Sequence, residues 1–236
     1  MSNPYFRFKQ FTIYQDRTAM KISTDGIVLG ACCEFGKAKK VLDVGTGTGL
    51  LSLMAAQKSQ ADITAVEINQ DAYNQAIENI EKSKFASRIK VVNGDFLTLF
   101  NDGVEQFDYI VSNPPFFRNS LKSSSQGRSI ARHEDSLPFE KFVPTVARLL
   151  TSGGTFSVIL PESERLYFNR LCIANGLHIC GKTMVKSFEN SDPLRVILHF
   201  SKSFLPMKQE VLVIYSSQNV YTQHFKDLVK DFYINV

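Results

Sequence analysis

Four consecutive residues, Asn113-Pro114-Pro115-Phe116, carry the most distinctive chemistry in this chain. Each proline holds its own φ at about −65° and lacks an N–H donor. Each also pushes the residue before it into extended conformation. Asn113 and Pro114 therefore present a carboxamide oxygen and a carbonyl oxygen side by side, with no competing backbone donor at Pro114. Two converging acceptors suit an amino group on a planar ring or an amide. Phe116 offers a face for a flat base, a contact worth roughly 1–3 kcal/mol per stacked base. The same prolines also serve simply to end a strand, so the rest of the chain must decide.

A second constellation lies upstream. Lys40-Val41-Leu42-Asp43-Val44-Gly45-Thr46-Gly47-Thr48-Gly49 reads as a strand and a glycine-rich turn, followed by a helix from about Leu50 to Lys58. Glycines let the backbone come close to a ligand at the carboxyl edge of a sheet. A dinucleotide fingerprint needs a small residue one place beyond Gly49, and Leu50 stands there, which disfavours NAD. A strand over Asp62 to Val66 ends at Glu67. An acid at that position accepts hydrogen bonds from ribose hydroxyls; the alternative is a solvated Glu capping the helix that begins near Gln70. A third strand, Ile89 to Val92, is closed by Asn93-Gly94-Asp95-Phe96. Asp95 caps the next helix, accepts from an adenine amino group, or does both.

The elements that must position these residues follow from periodicity. Residues 1–22 have Phe6, Phe8, Phe11 and Ile13 at strand spacing, interleaved with Arg7, Lys9, Arg17 and Lys21. Such a segment fits a β-hairpin over a sheet or site, and equally an RNA surface. Thr24-Asp25-Gly26 precedes a helix over Ile27 to Phe35, with Thr24 and Asp25 as candidate N-caps or ligand contacts. The apolar run Phe107 to Val111 leads into Asn113. Between Ser112 and His133 there is no acidic residue, but Arg118, Lys122, Arg128 and Arg132 are present around a Ser-rich stretch. That is either a solvated surface loop or a basic loop closing on an anionic substrate. His133 reads as a structural hydrogen-bonder before a catalytic base. A helix over Leu137 to Leu150 is expected to stop at Ser152-Gly153-Gly154. A strand over Thr155 to Leu160 and a helix from Ser163 to Ala174, closed by Asn175-Gly176, come next. Strands over Leu177 to Lys186 and Arg195 to Ser201 form an antiparallel pair. Val211 to Tyr215 is a further strand or part of the same hairpin, and Thr222 to Phe232 is a short amphipathic helix. The fold class is α/β: a mostly parallel sheet with one antiparallel strand and helices on both faces. All the candidate residues fall at strand carboxyl ends, where such sheets bind ligands.

Composition sets wide bounds. The chain has 236 residues, 44% of them hydrophobic, and a net charge of +4, which permits an anionic partner without requiring one. No run reaches the roughly 18 apolar residues of a membrane helix. Met1 to Gln10 has no apolar signal core, so export is not expected. Cys32, Cys33, Cys172 and Cys180 show no Cys-x-x-Cys pairing and suit reduced thiols in a cytoplasmic protein.

On these motifs the chain resembles the S-adenosylmethionine-dependent methyltransferases of the seven-stranded Rossmann-like class. Val41 to Gly49 is similar to their cofactor loop, Glu67 stands at their ribose position and Asp95-Phe96 at their adenine position. Asn113-Pro114-Pro115-Phe116 is similar to the tetrad of the amino-group methylases, which act on adenine N6, guanine N2 or glutamine. Phe8-Lys9-Gln10-Phe11, Met20-Lys21, Thr24-Asp25-Gly26 with Leu29-Gly30-Ala31, Ala131-Arg132-His133, Tyr221-Thr222 and Phe232-Tyr233 further resemble the bacterial tRNA adenine-N6 methyltransferases. Members of that family methylate the adenosine just 3′ to the anticodon of a valine tRNA. A Phe116-Phe117 pair replaces tyrosines of some members, which keeps stacking and removes a phenolic contact.

The resemblance implies S-adenosylmethionine as cofactor, held by Thr24, Asp43, Gly45, Gly47, Gly49, Glu67, Asp95 and Phe96. It implies a tRNA partner gripped by Arg7, Lys9, Lys21, Arg118, Lys122, Arg128 and Arg132, with no metal, no membrane and a monomeric enzyme. Residues 1–36 are expected to cover the site, and 37–236 to form the methyltransferase domain with its C-terminal strand and helix. The expected chemistry is direct displacement. Asn113 Oδ1 and the Pro114 carbonyl accept the two N–H bonds, and the nitrogen lone pair faces the methyl. Guanine-N2 methylation of ribosomal RNA is the competing activity. A cofactor-binding RNA-binding protein without chemistry is the competing class.

Overall fold

The computed structural model describes residues 3–18, 20–100, 105–115 and 137–235. Its centre is a set of short strands buried nearly end to end, because helices cover both faces of a parallel sheet. In chain order a hairpin of β1 (Tyr5–Arg7) and β2 (Thr12–Tyr14) precedes α1 (Thr24–Cys32). Alternating units follow: β3 (Lys40–Val44), α2 (Leu50–Lys58), β4 (Asp62–Glu67), α3 (Gln70–Glu81), β5 (Ile89–Asn93), α4 (Phe96–Leu99) and β6 (Phe107–Ser112). After the segment outside the described residues come α5 (Phe139–Leu149), β7 (Leu150–Pro161), α6 (Arg165–Ala174), β8 (His178–Lys186), β9 (Arg195–Ser201) and β10 (Lys208–Val213). A small hairpin, β11 (Tyr215–Ser217) with β12 (Val220–Tyr221), leads into α7 (Gln223–Val229).

The main sheet runs β10-β8-β9-β7-β6-β3-β4-β5, with β9 antiparallel to both its neighbours and every other pairing parallel. The order reverses at β3. From there the chain steps outward through β4 and β5, then returns to lay β6 on the other side. The crevice between the carboxyl ends of β3 and β6 is thus the topological switch point, where open α/β sheets bind ligands. Register aligns the strand ends: Val44 lies beside both Val66 and Ser112, and Glu67 beside Asn93. Gly45, Glu67 and Asn113, one residue further on, therefore emerge together.

Each face has its own apolar core. On one, α1, α2, α3 and α7 pack with Phe8, Phe11 and Ile13 of the N-terminal segment. On the other, α4, α5 and α6 enclose a phenylalanine cluster that includes Phe142 and Phe156, whose ring centroids are 5.7 Å apart. Gly30 lets α1 and α2 meet: a Cβ there would stand 2.5 Å from Met54 Sδ. The buried thiols belong to this packing. Burial pushes Cys33 up to about 11, away from nucleophile chemistry. Among the described residues no helix is long and apolar enough to cross a membrane.

Three expectations are corrected. The sheet has eight strands where the resemblance implies seven: the further strand allowed near Val211 to Tyr215 runs over Lys208–Val213 and pairs in parallel with β8 at the edge. Gly153-Gly154 does not cap α5. The helix stops at Leu149, Leu150 is already extended (φ −78°, ψ 134°), and both glycines lie inside β7. There the pairing slips between Phe107 and Tyr109, and Gly154 folds back so closely that a Cβ would meet Leu150 Cδ1 at 2.8 Å. The N-cap of α1 is Ser23, whose hydroxyl accepts from Gly26 N at 3.4 Å, while Thr24 and Asp25 sit in the first turn.

Candidate active site

The glycine turn is shaped by three left-handed residues, Gly45 (φ 72°), Gly47 (φ 58°) and Gly49 (φ 85°), a region costly for any side chain. It is tied to β4 by Gly45 N and Thr46 N, which donate to Val66 O at 2.9 and 3.0 Å. Asp43 braces it from behind. The side chain is fully buried, and Oδ2 accepts from Thr46 Oγ1 at 2.6 Å and Ser52 Oγ at 2.7 Å. Burial pushes its pKa up to about 6, against the pull of those two hydroxyls. Its Oδ1 is buried and has no hydrogen-bond partner among the described residues.

Glu67, at the tip of β4, is 7% exposed. Its Oε2 accepts from Gly47 N at 2.8 Å and its Oε1 from Asn69 N at 2.9 Å. Each oxygen keeps a further lone-pair direction for a diol. Asp95 is the N-cap of α4, with Oδ1 accepting from Leu97 N at 2.9 Å; one carboxylate oxygen remains for another donor. The Phe96 ring is spent in the core against Phe142, 5.6 Å away, and is 3% exposed. What Phe96 can offer a ligand is its backbone N–H, at the first position of a helix where no intrahelical carbonyl reaches.

At the end of β6, Ser112 Oγ donates to Val44 O at 2.8 Å and fastens the strand to the start of the glycine turn. Asn113 is half-buried, and Pro114 is buried behind it. Gly26 of α1 stands between the two halves of the site: a Cβ there would lie 3.1 Å from Leu50 Cδ2 and 3.7 Å from Asn113 Nδ2. Thr24 lies exposed at the same helix end. Asp25 holds that end to β9 through Arg195 Nε, 2.7 Å from its Oδ2.

The structure thus brings Thr24, Asp43, Gly45, Gly47, Gly49, Glu67, Asn113, Pro114 and Pro115 to one sheet edge, with Asp95 and Phe96 following β5 on the same edge. Phe116, Arg118, Lys122, Arg128, Arg132 and His133 lie outside the described residues. Of the other expected RNA contacts, Lys21 Nζ donates to Gln15 O close to the start of α1. Lys9 is elsewhere. Its Nζ donates to Lys230 O at 2.6 Å, next to Asp231, whose carbonyl binds Gln57 at the far end of α2 from the glycine turn. Arg7 lies over the Tyr5 ring, 5.9 Å from its centroid.

Two residues beside the glycine turn that the sequence did not single out are Gln75 and Asn79. Gln75 and Asn79 lie on the buried stripe of α3 beside Ala76 and Ile80, where a buried face calls for hydrocarbon. That mismatch was the available signal.

Comparison with known proteins agrees with this geometry. The family model "Methyltransferase small domain" matches residues 27–166. A tRNA1(Val) (adenine(37)-N6)-methyltransferase of Phocaeicola vulgatus is 44% identical over the whole of both chains. One of the same name from Trichodesmium erythraeum is 41% identical over 99% of each. Among solved structures, a predicted O-methyltransferase from Agrobacterium tumefaciens superposes with a TM-score of 0.65 at 19% identity, covering 88% of this chain and 96% of that one; it shares the fold. A sheet with its glycine turn and Asn-Pro-Pro segment at one switch point, and full-length relatives of this similarity, place the chain in the tRNA1(Val) (adenine(37)-N6)-methyltransferase family of small-domain methyltransferases.

Proposed function

We propose that the protein transfers a methyl group from S-adenosylmethionine to N6 of an adenosine in tRNA, adenosine 37 of valine tRNA by the name its relatives carry. The observation that carries this reading is the adjacency of two unlike half-sites. An acid-braced glycine turn and a pair of amino-group acceptors meet across the β3–β6 crevice, joined by the Ser112–Val44 bond and by Gly26.

The residues fit the cofactor. Cβ positions built on Gly45 and Gly47 meet nothing within 4 Å, so the turn opens onto free space. Glu67 has acceptors for a ribose diol, and Asp95 with the Phe96 N–H pairs an acceptor with a donor, as an adenine edge requires. When bound, S-adenosylmethionine supplies an electrophilic sulfonium methyl. The chain's own part is to orient the nucleophile. Asn113 Oδ1 and the Pro114 carbonyl accept the two amino N–H bonds, direct the nitrogen lone pair along the line of transfer, and stabilise the developing positive charge. Phe116 stacks on the extruded base. Lys21 and the basic residues from Arg118 to Arg132 position phosphates. A tRNA substrate fits a cytoplasmic enzyme.

The test is transfer of labelled methyl from S-adenosylmethionine to tRNA from a strain lacking this protein, with the modified nucleoside identified by mass spectrometry. N6-methyladenosine beside the anticodon is expected. N2-methylguanosine in ribosomal RNA, or label in protein, would overturn the substrate.

A further inference from the structure

Helix α3 holds two buried carboxamides one turn apart, Gln75 at 0% and Asn79 at 1% exposure. Neither is idle. Asn79 Oδ1 accepts from Tyr14 N at 2.8 Å, and its Nδ2 donates to Tyr14 O at 2.9 Å and to Thr48 O at 2.9 Å. One side chain therefore grips both backbone groups of Tyr14 and the carbonyl of a residue inside the glycine turn. Gln75 Oε1 accepts from Arg17 N at 3.1 Å, three residues further along the same N-terminal segment.

That segment closes on itself. Ile22 N donates to Gln15 Oε1 at 2.9 Å, Lys21 Nζ donates to Gln15 O, and Thr18 Oγ1 donates to Met20 O at 2.9 Å. It then passes directly into the Ser23 cap and Thr24. This strap, described over 15–18 and 20–22, is thus held at one end by α3 and at the other by the start of α1. The glycine turn lies against the same helix, since a Cβ on Gly49 would meet Ile80 Cδ1 at 3.5 Å. Hydrocarbon at 75 and 79 would satisfy the packing of α3. Amides there fix one position of the strap relative to the turn, because each backbone group they bind is costly to leave unpaired.

We infer that Asn79 is a positioning residue for the cofactor turn and that, with Gln75, it locks the strap around Gln15 and Arg17 so that the strap completes the cofactor pocket. This rests on the cofactor reading given above. Thr48 adjoins Gly47, whose N–H binds Glu67, so releasing the Thr48 carbonyl loosens the acid that faces the ribose.

The experiment compares Asn79→Ala, Gln75→Ala and a control, Val229→Ala, which removes buried bulk from the same core. S-adenosylhomocysteine binding is measured by calorimetry and backbone hydrogen exchange on the ligand-free proteins. Asn79→Ala should raise the dissociation constant about tenfold, the equivalent of one lost buried hydrogen bond. The KM for S-adenosylmethionine should follow it while kcat stays within about threefold. Exchange should accelerate at residues 14–22 in both amide variants, and at 47–49 in Asn79→Ala alone. The control should leave binding unchanged. Wild-type affinity in Asn79→Ala, or equal weakening in Val229→Ala, would overturn the inference. A wild-type protein that does not bind S-adenosylhomocysteine would instead remove the cofactor reading, and this inference with it.

Discussion

At the residue scale, the proposed reaction assigns binding to one half of the site and chemistry to the other, and substitution should separate them. Gly26 stands between Asn113 and the start of α2, a Cβ there lying 3.7 Å from Asn113 Nδ2 and 3.1 Å from Leu50 Cδ2. In the proposed reaction, replacement of Asn113 by alanine removes an acceptor that aligns the amino group and matters most as positive charge develops on the nitrogen. Methyl transfer at saturating substrates should fall about 10²–10³-fold, as when one preorganised polar group is removed elsewhere. S-adenosylhomocysteine affinity should stay near wild type; unimpaired turnover would end the mechanism. Glu67 should behave in the opposite way. Glu67→Ala strips the proposed ribose acceptors and leaves Gly47 N–H without its carboxylate partner, so calorimetric affinity should fall by about 2 kcal/mol, some thirtyfold. Glu67→Gln keeps one acceptor oxygen and should lose less. Equal losses in the two variants would show that the acid acts through its charge alone and not through its placement against Gly47.

At the scale of elements, the α1–α2 contact is the joint on which the site turns, because each helix begins at the pocket. Gly30 makes that contact close. Alanine there would put a Cβ 2.5 Å from Met54 Sδ and 3.2 Å from Leu51 Cδ2, and Met54 has no exposed surface into which to retreat. Gly30→Ala should cost about 1–3 kcal/mol in denaturant unfolding, the range for overpacked cores. Combination with Met54→Ala should cost less than the sum of the two, and strict additivity would show that the clash is relieved elsewhere. The sequence displayed this layer well where one local rule sufficed. Gly45, Gly47 and Gly49 are required by positive φ, and the buried strands before Gly45 and Asn113 have no competing pattern. It was silent where tertiary context chose between local options. Gly153-Gly154 fits a helix cap as well as a bulged strand, and the close return onto Leu150 decides. The run Lys208 to Val213 has no mark of its own to say whether it extends a hairpin or joins β8 in parallel. Asn79 is a polar residue on an apolar stripe, and only the fold shows the three backbone groups that it serves. The ring of Phe96 could face ligand or core, and Phe142 and Phe100 claim it.

At the scale of the whole molecule, two titratable groups in the central sheet oppose one another as pH changes. Asp43 is raised by burial from 3.8 to about 6, so the native state holds its proton more tightly than the unfolded chain. Its contribution to stability is greatest below 3.8 and is lost as pH rises through 6. His199 in β9 is lowered by burial from 6.5 to about 4, with Lys208 and Lys58 pressing in the same direction and Glu34 against it. It is held neutral in a buried chain, with Nδ1 2.6 Å from Ser157 Oγ and that hydroxyl 2.7 Å from Tyr109 Oη. The unfolded chain takes up a proton at His199 first, so this group weakens the native state as pH falls from 6.5 towards 4. The windows overlap between 4 and 6, where the two slopes have opposite sign and similar reach. Wild-type stability should therefore show little net slope from this pair, and removing either group should expose the other. Measured by urea unfolding across that range, the stability of wild type minus that of His199→Gln should rise with pH and level off above 6.5. The difference from Asp43→Asn should fall with pH and level off above 6. Parallel curves for either variant would mean that its group titrates alike in the folded and unfolded chains, and that the cost of burying it is met by hydrogen bonds alone.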